Sequence, residues 1–137
     1  MIYIDTNIFV YATENHPKYG NDCKRVLEDI MNKNIDGCCS TLILAELLNV
    51  FVKMRKLTKG KVDVKGSIQA VLSLPIKWFD IDFFLLVNAA EYNYNISGID
   101  YIHVATMEIN AIKKVISADA ELDKVDFIQR INPLEYE

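Results

Sequence analysis

Apolar residues along this chain follow two alternating patterns. Short, nearly continuous apolar runs are typical of buried β-strands, whereas apolar residues three and four positions apart are typical of a helix with one buried face. The short runs predict strands at residues 2–5, 35–39, 76–79, 114–117 and 126–128. The helical spacing predicts helices at residues 7–13, 18–34, 41–56, 62–74, 82–94 and 97–112.

The order of these elements indicates a single α/β domain. Strands separated by helices of this length need crossover connections, which join parallel strands. We therefore expect a three-layer α/β/α domain over residues 1–137 with a mostly parallel central sheet. No repeat, low-complexity tract or linker divides the chain, and its 51% hydrophobic residues supply enough apolar material for one core.

Three features favour the cytoplasm. No stretch approaches the roughly 18 uninterrupted apolar residues of a membrane span, so no membrane contact is expected. The first strand begins at Ile2, which leaves no room for a signal peptide. Cys38 and Cys39 are adjacent within an apolar run and Cys23 stands apart, without disulfide or metal spacing, so reduced thiols are expected.

The charge distribution leaves a nucleic-acid partner open. The net charge is −4, from 19 acidic and 15 basic residues, which argues weakly against a polyanionic partner. One basic stretch, opposed only by Asp63, contains six residues: Lys53, Arg55, Lys56, Lys59, Lys61 and Lys65. This basic stretch is either a solvated helix end and linker or, if it borders a cleft, a guide for phosphates.

Four carboxylates lie where a predicted strand turns into a helix or in the first turns of a helix: Asp5, Glu46, Asp100 and Asp119. The carboxyl ends of parallel strands meet at one edge of a sheet, where open α/β folds place their sites. Acidic groups gathered there repel one another, by roughly 4 kcal/mol for a pair about 4 Å apart at an effective dielectric near 20. A hard divalent cation is the simplest group that would neutralise them.

Asp5 and Asp119 each have a structural alternative. Asp5, Thr6 and Asn7 all suit a helix N-cap, but three such residues are more than one cap needs. A metal ligand at Asp5, supported by Thr6 and Asn7, is therefore equally consistent. Asp119 either caps a short helix or binds the ion. Asp123, four residues on, would share the face of Asp119 and bind a second ion or only solvent.

Glu46 lies on a predicted helix whose apolar residues point in nearly every direction. That pattern predicts a helix buried on most sides. The polar residues Glu46, Asn49 and Lys53 share one narrow stripe of this helix. The stripe is either a thin solvent-exposed face or the lining of an internal cleft, and the cleft is favoured.

Asp100 can complete a capping box with Ser97 at the start of its helix. It also lies above Val104 and Met107 on the apolar face, where a half-buried carboxylate needs a partner or a cation. His103 falls on the more polar side of the same helix. This position favours a hydrogen-bonded structural residue over a metal ligand or a general base.

Together these residues resemble the PIN-domain nucleases, most closely the toxin component of VapBC toxin–antitoxin pairs. The similarity rests on four motifs spread over nearly the whole chain: Ile4-Asp5-Thr6-Asn7, Ala45-Glu46-Leu47, Asp100-Tyr101-Ile102-His103-Val104-Ala105-Thr106 and Ser117-Ala118-Asp119-Ala120-Glu121-Leu122-Asp123. Each motif is short, so specificity comes from the set. Leu122, where many relatives have Phe, and Met107-Glu108, where Ala-rich sequence is common, depart from the pattern and concern packing.

The resemblance implies a magnesium- or manganese-dependent endoribonuclease in which metal-bound water attacks the RNA phosphodiester. Its acidic cluster would be Asp5, Glu46, Asp100 and Asp119, with Asp5 and Asp100 as direct ligands. Supporting roles are implied for four residues: Thr6, Asn7, Ser117 and Asp123.

The resemblance also implies an RNA substrate, an antitoxin whose tail covers the cleft, and a homodimer. Selectivity for RNA would come from loops and from the basic stretch, whose candidate RNA contacts are Lys53, Arg55, Lys56 and Lys59. Four aromatic residues are candidates for an interface, although most of them are expected in the core: Phe83, Phe84, Tyr92 and Tyr94.

Other classes of protein fit less well. A phosphoacceptor receiver domain would have an acidic pair after the first strand and a lysine just after the last main strand. Here Asp5 stands alone, and Lys124 is displaced from the second position. A haloacid-dehalogenase-type phosphatase would have Asp-x-Asp, but Asn7 occupies the second place. A catalytically silent PIN-like domain that binds RNA or a protein partner stays open as an alternative.

Overall fold

The computed structural model describes residues 1–136. The strands are β1 (Ile2–Ile4), β2 (Gly37–Ser40), β3 (Lys77–Phe79), β4 (Lys114–Ile116) and β5 (Gln129–Ile131). The helices are α1 (Thr6–Thr13), α2 (Gly20–Met31), α3 (Leu42–Leu57), α4 (Val64–Leu72), α5 (Phe83–Ala89) and α6 (Gly98–Ile109). Short 3₁₀ turns cover Ala120–Lys124 and Pro133–Glu135.

The five strands form one parallel sheet in the order β3-β2-β1-β4-β5. β1 is the central strand, and Tyr3 pairs with Cys38 on one side and with Val115 on the other. The chain extends the sheet through β2 and β3, and then crosses back to add β4 and β5 beside β1. A parallel sheet opens a crevice at such a reversal, outside the carboxyl ends of its strands. The predicted α/β fold with a parallel central sheet is confirmed.

Helices cover both faces of this sheet. Successive residues of a strand point to opposite faces, yet Tyr3, Ile4, Val115 and Ile116 are all buried, with at most 1% exposed. Burial on both faces is typical of parallel sheets between two helical layers. α1 packs against α2 and α3, and α5 packs against α6.

Two predicted boundaries in the second half of the chain are wrong. The last strand is Gln129–Ile131 and not 126–128, because Val125 turns into the core and the more polar Gln129 and Arg130 form the ladder with β4. The helix predicted for 82–94 ends at Ala89. Beyond it Tyr92 and Tyr94 form an aromatic pair, and both are partly buried.

Hydrogen bonds to side chains explain why two other helices begin later than predicted. α4 begins at Val64 because the Asp63 carboxylate accepts a hydrogen bond from the backbone N–H of Gly66 at 3.0 Å. α2 begins at Gly20 and ends at Met31, inside the predicted 18–34. The residues before it form a turn that is closed by the side chain of His16. Asp5, predicted to end β1, is the N-cap of α1.

Apolar surface is distributed differently from the prediction. α3 is buried on one face only, through Ile43, Leu47 and Phe51, while Leu48 is 49% exposed, so burial on most sides is wrong. On α5, Phe83 and Phe84 are 88% and 67% exposed, so these two interface candidates do not belong to the core. None of the helices described within residues 1–136 combines the length and the apolar character needed to cross a membrane.

Candidate active site

An acidic cleft of about 300 Å³ opens at the carboxyl ends of β1 and β4. Its lining residues come from α1 and its N-cap, from α3, from the first turn of α6 and from the loop after β4: Asp5, Thr6, Asn7, Val10, Tyr11, Glu46, Asp100 and Asp119. The four carboxylates predicted to converge are all among them. No lysine or arginine belongs to this lining, so its negative charge has no basic counterpart at its surface.

Asp5 is held by hydrogen bonds from three sides. Its Oδ1 accepts from the backbone N–H of Thr6 at 2.8 Å. Its Oδ2 accepts from the Ser117 hydroxyl at 2.6 Å and from the Asn7 side-chain amide at 3.1 Å. Burial raises the pKa of the Asp5 carboxyl, although the charge of His103 and the donated hydrogen bonds oppose the rise. The N-cap alternative for Asp5 is confirmed, and the cap also fixes the carboxylate in the cleft.

Asn7 and Ser117 connect the first turn of α1 to the loop after β4. The Asn7 amide donates to Ser117 Oγ at 3.1 Å, and its Oδ1 accepts from the backbone N–H of Ala118 at 3.2 Å. Ser117 Oγ also accepts from the backbone N–H of Asp119 at 3.0 Å. The supporting polar residues of the sequence analysis therefore position Asp5 and Asp119 relative to each other.

Glu46 is fixed by a buried histidine. His103 Nε2 donates to Glu46 Oε1 at 2.7 Å, and the Thr6 hydroxyl donates to the same oxygen at 2.9 Å. The other ring nitrogen of His103 lies 2.5 Å from the Tyr3 hydroxyl, which accepts from the backbone N–H of Ser40. Burial opposes the charged forms, but the hydrogen bond and mutual attraction lower the pKa of Glu46 and raise that of His103.

His103 is only 4% exposed and Thr106 is fully buried, so the more polar side of α6 faces the interior. The predicted role of His103 as a hydrogen-bonded residue agrees with its contacts. The helical spacing alone did not reveal its partner, because Tyr3 and Glu46 are distant in sequence. A histidine three residues after Asp100 could have been connected to Glu46 only once the neighbouring helices were known.

Asp100 occupies the first turn of α6, where its backbone N–H donates to the Ser97 hydroxyl at 3.1 Å. The predicted cap by Ser97 and the half-buried position are confirmed. Burial raises the pKa of the Asp100 carboxyl, the bond with Ser97 opposes the rise, and the charges of Asp5 and Asp119 add to it. Asp100 therefore experiences the repulsion expected among carboxylates at this edge of the sheet.

Asp119 and Asp123 lie close in sequence but have different surroundings. Asp119 lines the cleft and caps the 3₁₀ turn, since its Oδ1 accepts from the backbone N–H of Glu121 at 2.9 Å. Asp123 is bound by Arg130 through two hydrogen bonds of 2.9 and 3.1 Å. The Arg130 guanidinium holds the pKa of the Asp123 carboxyl below its usual range. The expectation that Asp123 binds a second ion or only solvent is corrected by this ion pair.

The basic stretch does not line the acidic cleft. All six of its residues are exposed: Lys53, Arg55, Lys56, Lys59, Lys61 and Lys65. Lys53 lies seven residues beyond Glu46 on α3, which is roughly 10 Å along the helix axis. The two interpretations of the polar stripe on α3 therefore apply to different parts of it, because Glu46 lines the cleft whereas Asn49 and Lys53 face solvent.

The oxygen atoms that line the cleft are chemically suited to bind a hard cation. Carboxylate, hydroxyl and amide oxygens are the ligands that Mg²⁺ and Mn²⁺ prefer. Their spacing is less favourable, because residues 1–136 contain no group of three or more His, Cys, Asp or Glu side chains arranged to hold a metal ion. Both carboxylate oxygens of Asp5 already accept hydrogen bonds. The cleft therefore brings suitable ligand groups together without arranging them in a complete coordination shell.

A second cavity lies on the other side of α1. This apolar groove has a volume of about 640 Å³ and is formed by residues of α1, α2 and the α4 region: Phe9, Thr13, Leu27, Met31, Asp63, Gly66, Ser67, Ala70, Val71, Ser73 and Leu74. The sequence analysis did not identify it, because these residues come from three helices whose packing is not evident from spacing.

Comparison with known proteins agrees with this fold. The family model of the PIN domain matches residues 2–128, so the chain belongs to the PIN-domain family. A search of the curated proteins finds no match.

Three solved structures share the fold. VapBC2 from Rickettsia felis, bound to a DNA fragment from its promoter, is similar with a TM-score of 0.71 and 21% identity over 96% of this chain and 98% of that chain. VapC20 from Mycobacterium tuberculosis, a toxin that cleaves the sarcin-ricin loop, has a TM-score of 0.72 and 16% identity over 93% of this chain and 97% of that chain. FitAcB from Neisseria gonorrhoeae has a TM-score of 0.65 and 19% identity over 99% of this chain and 100% of that chain. At such identities the likeness shows the fold.

Proposed function

We propose that this PIN domain is an endoribonuclease that hydrolyses RNA phosphodiester bonds in the acidic cleft with the help of Mg²⁺ or Mn²⁺. The observation that carries the proposal is the convergence of Asp5, Glu46, Asp100 and Asp119 on one cleft without a lysine or arginine in its lining. Such a cleft repels an RNA strand unless cations neutralise it. Buried carboxylates with raised pKa values are also typical of functional sites.

Asp5 and Asp100 would hold the cation directly, with Glu46 and Asp119 completing the ligands. When bound, the cation supplies an activated water and polarises the phosphodiester. The surrounding side chains keep the carboxylates in place. Ser117 and Asn7 orient Asp5 by hydrogen bonds at 2.6 and 3.1 Å.

Glu46 needs its own support because it extends from a different helix. His103 and Thr6 both donate to Oε1, which leaves Oε2 for the cleft. The hydrogen bond from His103 also favours the ionised form of Glu46, which is the form that binds a cation. His103 is therefore a positioning residue in this proposal and does not touch the substrate.

The same proposal includes a toxin role and a cognate antitoxin. A similar structure from Klebsiella pneumoniae is described as a toxin–antitoxin complex, VapBC2 as bound to a DNA fragment from its promoter, and VapC20 as a toxin. The apolar groove and the acidic cleft flank α1, since Phe9 lines the groove and Val10 lines the cleft. An antitoxin tail with an apolar face and a basic side chain would match both cavities.

The antitoxin proposal predicts a specific loss of inhibition. A small protein that co-purifies with the chain should suppress RNA cleavage, and Ala70→Glu in the apolar groove should relieve the suppression without reducing cleavage itself. Suppression that is unchanged by Ala70→Glu would contradict binding in the groove.

The exposed face of α5 supports the homodimer of this proposal. Phe83 and Phe84 are 88% and 67% exposed, and Val87 on the same helix is 62% exposed. Apolar residues clustered in this way mark interaction surfaces. Phe83→Asp should shift the chain to a monomer in analytical ultracentrifugation. Leu57→Asp is a matched control, since Leu57 is 84% exposed at the end of α3, and it should leave the dimer intact.

The reducing environment of the cytoplasm suits this chain, because Cys23, Cys38 and Cys39 are all free and buried.

Within the proposal, the basic residues Lys53, Arg55, Lys56 and Lys59 contact RNA outside the cleft. Replacing them together by glutamine should weaken RNA binding and its salt dependence while cation binding persists.

Cleavage of total cellular RNA by purified protein tests the proposed function. Fragments should appear with Mn²⁺, disappear with EDTA, and be absent for Asp5→Asn under identical conditions. The matched control is Asp36→Asn, which changes an exposed aspartate at the opposite end of β2. Cleavage that survives EDTA and Asp5→Asn would overturn the proposal. Binding of RNA without cleavage would favour the catalytically silent alternative.

A further inference from the structure

Three aromatic rings pack together where α1 is followed by α2, at one side of the acidic cleft. The ring centroids of Tyr11 and Tyr19 lie 5.2 Å apart with their planes 14° from parallel. His16 lies 4.5 Å from Tyr11 and 5.2 Å from Tyr19. Lys18 Nζ lies 5.2 Å from the centre of the Tyr19 ring. We call these three rings, with Lys18, the aromatic platform.

The backbone around the aromatic platform is fixed by local contacts. His16 Nδ1 accepts hydrogen bonds from the backbone N–H groups of Lys18 and Tyr19 at 3.1 and 3.2 Å. A Cβ atom at Gly20 would lie 3.0 Å from the carbonyl carbon of Asn15, so the first turn of α2 packs closely on this turn. Rings held in this way lose little conformational freedom when a ligand binds.

The aromatic platform is continuous with the cleft through Tyr11. Tyr11 and Val10 line the cleft together with Asp5 and Thr6. Tyr11 lies six residues after Asp5, which corresponds to roughly 9 Å along α1. A nucleic-acid strand whose phosphate lies among the carboxylates would therefore have a neighbouring nucleotide within reach of Tyr11.

We propose that the aromatic platform stacks an unpaired base of the RNA strand and that Lys18 contacts an adjacent phosphate. This inference rests on the proposed ribonuclease function and names the substrate as single-stranded RNA. The acidic lining gives the strand no basic side chain to bind, whereas stacking on an aromatic ring does not depend on charge. Such stacking contributes about 1–3 kcal/mol per base and tolerates different sequences. A base within a duplex presents no free face, so paired RNA would not engage the aromatic platform.

Binding of two labelled RNA probes tests the inference. The first probe is a fluorescein-labelled decamer of adenylate, and the second is a ribose-phosphate decamer without bases. Both are measured by fluorescence anisotropy with Mg²⁺ in the Asp100→Asn background, so that neither probe is cut. The adenylate decamer should bind about 5- to 150-fold more tightly than the abasic decamer.

Variants of the aromatic platform separate stacking from charge. Tyr11→Leu and Tyr19→Leu should bring the ratio of the two dissociation constants close to one, whereas Tyr11→Phe should keep it. Lys18→Ala should weaken both probes equally and reduce the salt slope by about one. Tyr94→Leu is the matched control, because Tyr94 also belongs to an aromatic pair but does not line the cleft.

Equal affinity of the two probes for the Asp100→Asn protein would overturn the inference, and so would a folded Tyr11→Leu protein that keeps the preference. If Tyr11→Leu does not fold, Tyr19→Leu decides by the same ratio. The proposed function is tested separately by metal-dependent cleavage with the protein that retains Asp100. Cleavage together with equal probe affinities would reject only the aromatic platform, whereas absence of both cleavage and probe binding would reject both proposals.

Discussion

Asp119 and Asp123 lie within one short segment, yet their carboxylates have different surroundings. Asp123 is exposed and receives two hydrogen bonds from Arg130. Asp119 faces a cleft with three other acidic residues and no basic residue in its lining. The protein supplies the Arg130 guanidinium to one carboxylate, whereas we propose that the other takes a cation from solution. This difference separates a structural acid from a candidate functional acid more clearly than proximity in sequence does.

The pKa values of Asp5 and Asp100, which also line the cleft, differ in direction from the pKa of Asp123. Burial raises the pKa of Asp5 and of Asp100, so their charged forms are disfavoured in the folded protein. The hydrogen bond from Arg130 lowers the pKa of Asp123, so its charged form is favoured. Without metal, the cleft should therefore destabilise the fold at neutral pH, while the Asp123–Arg130 pair should stabilise it.

The largest expected effect comes from Asp100→Asn. RNA cleavage should fall by more than the roughly 100-fold that loss of an outer-shell partner can cost. The melting temperature in EDTA should rise by a few degrees, because one repelling charge is removed. Asp123→Asn should show neither change. A variant that loses cleavage and also melts lower in EDTA would contradict the repulsion assigned to the cleft.

Variants of His103 test whether Glu46 must be positioned. His103→Leu removes the donor to Glu46 and should raise the Mn²⁺ concentration needed for half-maximal thermal stabilisation by about 10- to 100-fold. His103→Gln retains an N–H donor and should recover part of that loss. If both variants respond to Mn²⁺ as the original protein does, His103 contributes only to packing.

Lowering the pH should remove part of the destabilisation that the cleft carboxylates cause in the metal-free protein. Asp5, Asp100 and His103 have raised pKa values, so the folded state binds protons more readily than the unfolded state between neutral pH and about pH 4. In EDTA the protein should therefore melt several degrees higher near pH 5.5 than near pH 7.5. Asp100→Asn should reduce this difference. Melting that falls steadily over the same acidification would contradict the pKa directions.

The smallest expected effect concerns the Asp123–Arg130 pair. Asp123→Asn should lower the free energy of unfolding by about 0.5–1 kcal/mol in urea, since an exposed pair is partly screened by water. The loss should occur above pH 4 and vanish as Asp123 becomes protonated. Asp22→Asn, which breaks one longer contact of 3.4 Å with Arg25, should cost less. A larger loss for Asp22→Asn would argue against the special geometry of the Arg130 pair.

The sequence predicted the fold well because its signals are local. Apolar runs placed β1 to β4, and the helices between them required parallel crossovers. β5 was misplaced because its ladder residues, Gln129 and Arg130, are polar and lie at the sheet edge, whereas the apolar Val125 belongs to the core. The end of α5 was missed because the two tyrosines at 92 and 94 continue an apolar pattern without continuing the helix.

The candidate site was predicted in its acids and in the supporting residues Thr6, Asn7 and Ser117, but not in the individual contacts that hold the acids in place. Asp5, Glu46, Asp100 and Asp119 could be grouped because parallel strands bring their carboxyl ends together. The contact between Tyr3 and His103 spans 100 residues, and that between Ser117 and Asp5 spans 112. Side-chain contacts of this length depend on packing between elements, which hydrophobic spacing does not encode.

Titration of Mn²⁺ into metal-free protein by isothermal calorimetry tests the central claim most directly. We expect saturable binding for the original protein, the same affinity for Asp123→Asn, and affinity at least roughly tenfold weaker for Asp100→Asn. This result would show that the carboxylates without an arginine partner are the ones that hold the cation. No saturable binding to the original protein, or a loss confined to Asp123→Asn, would contradict the account.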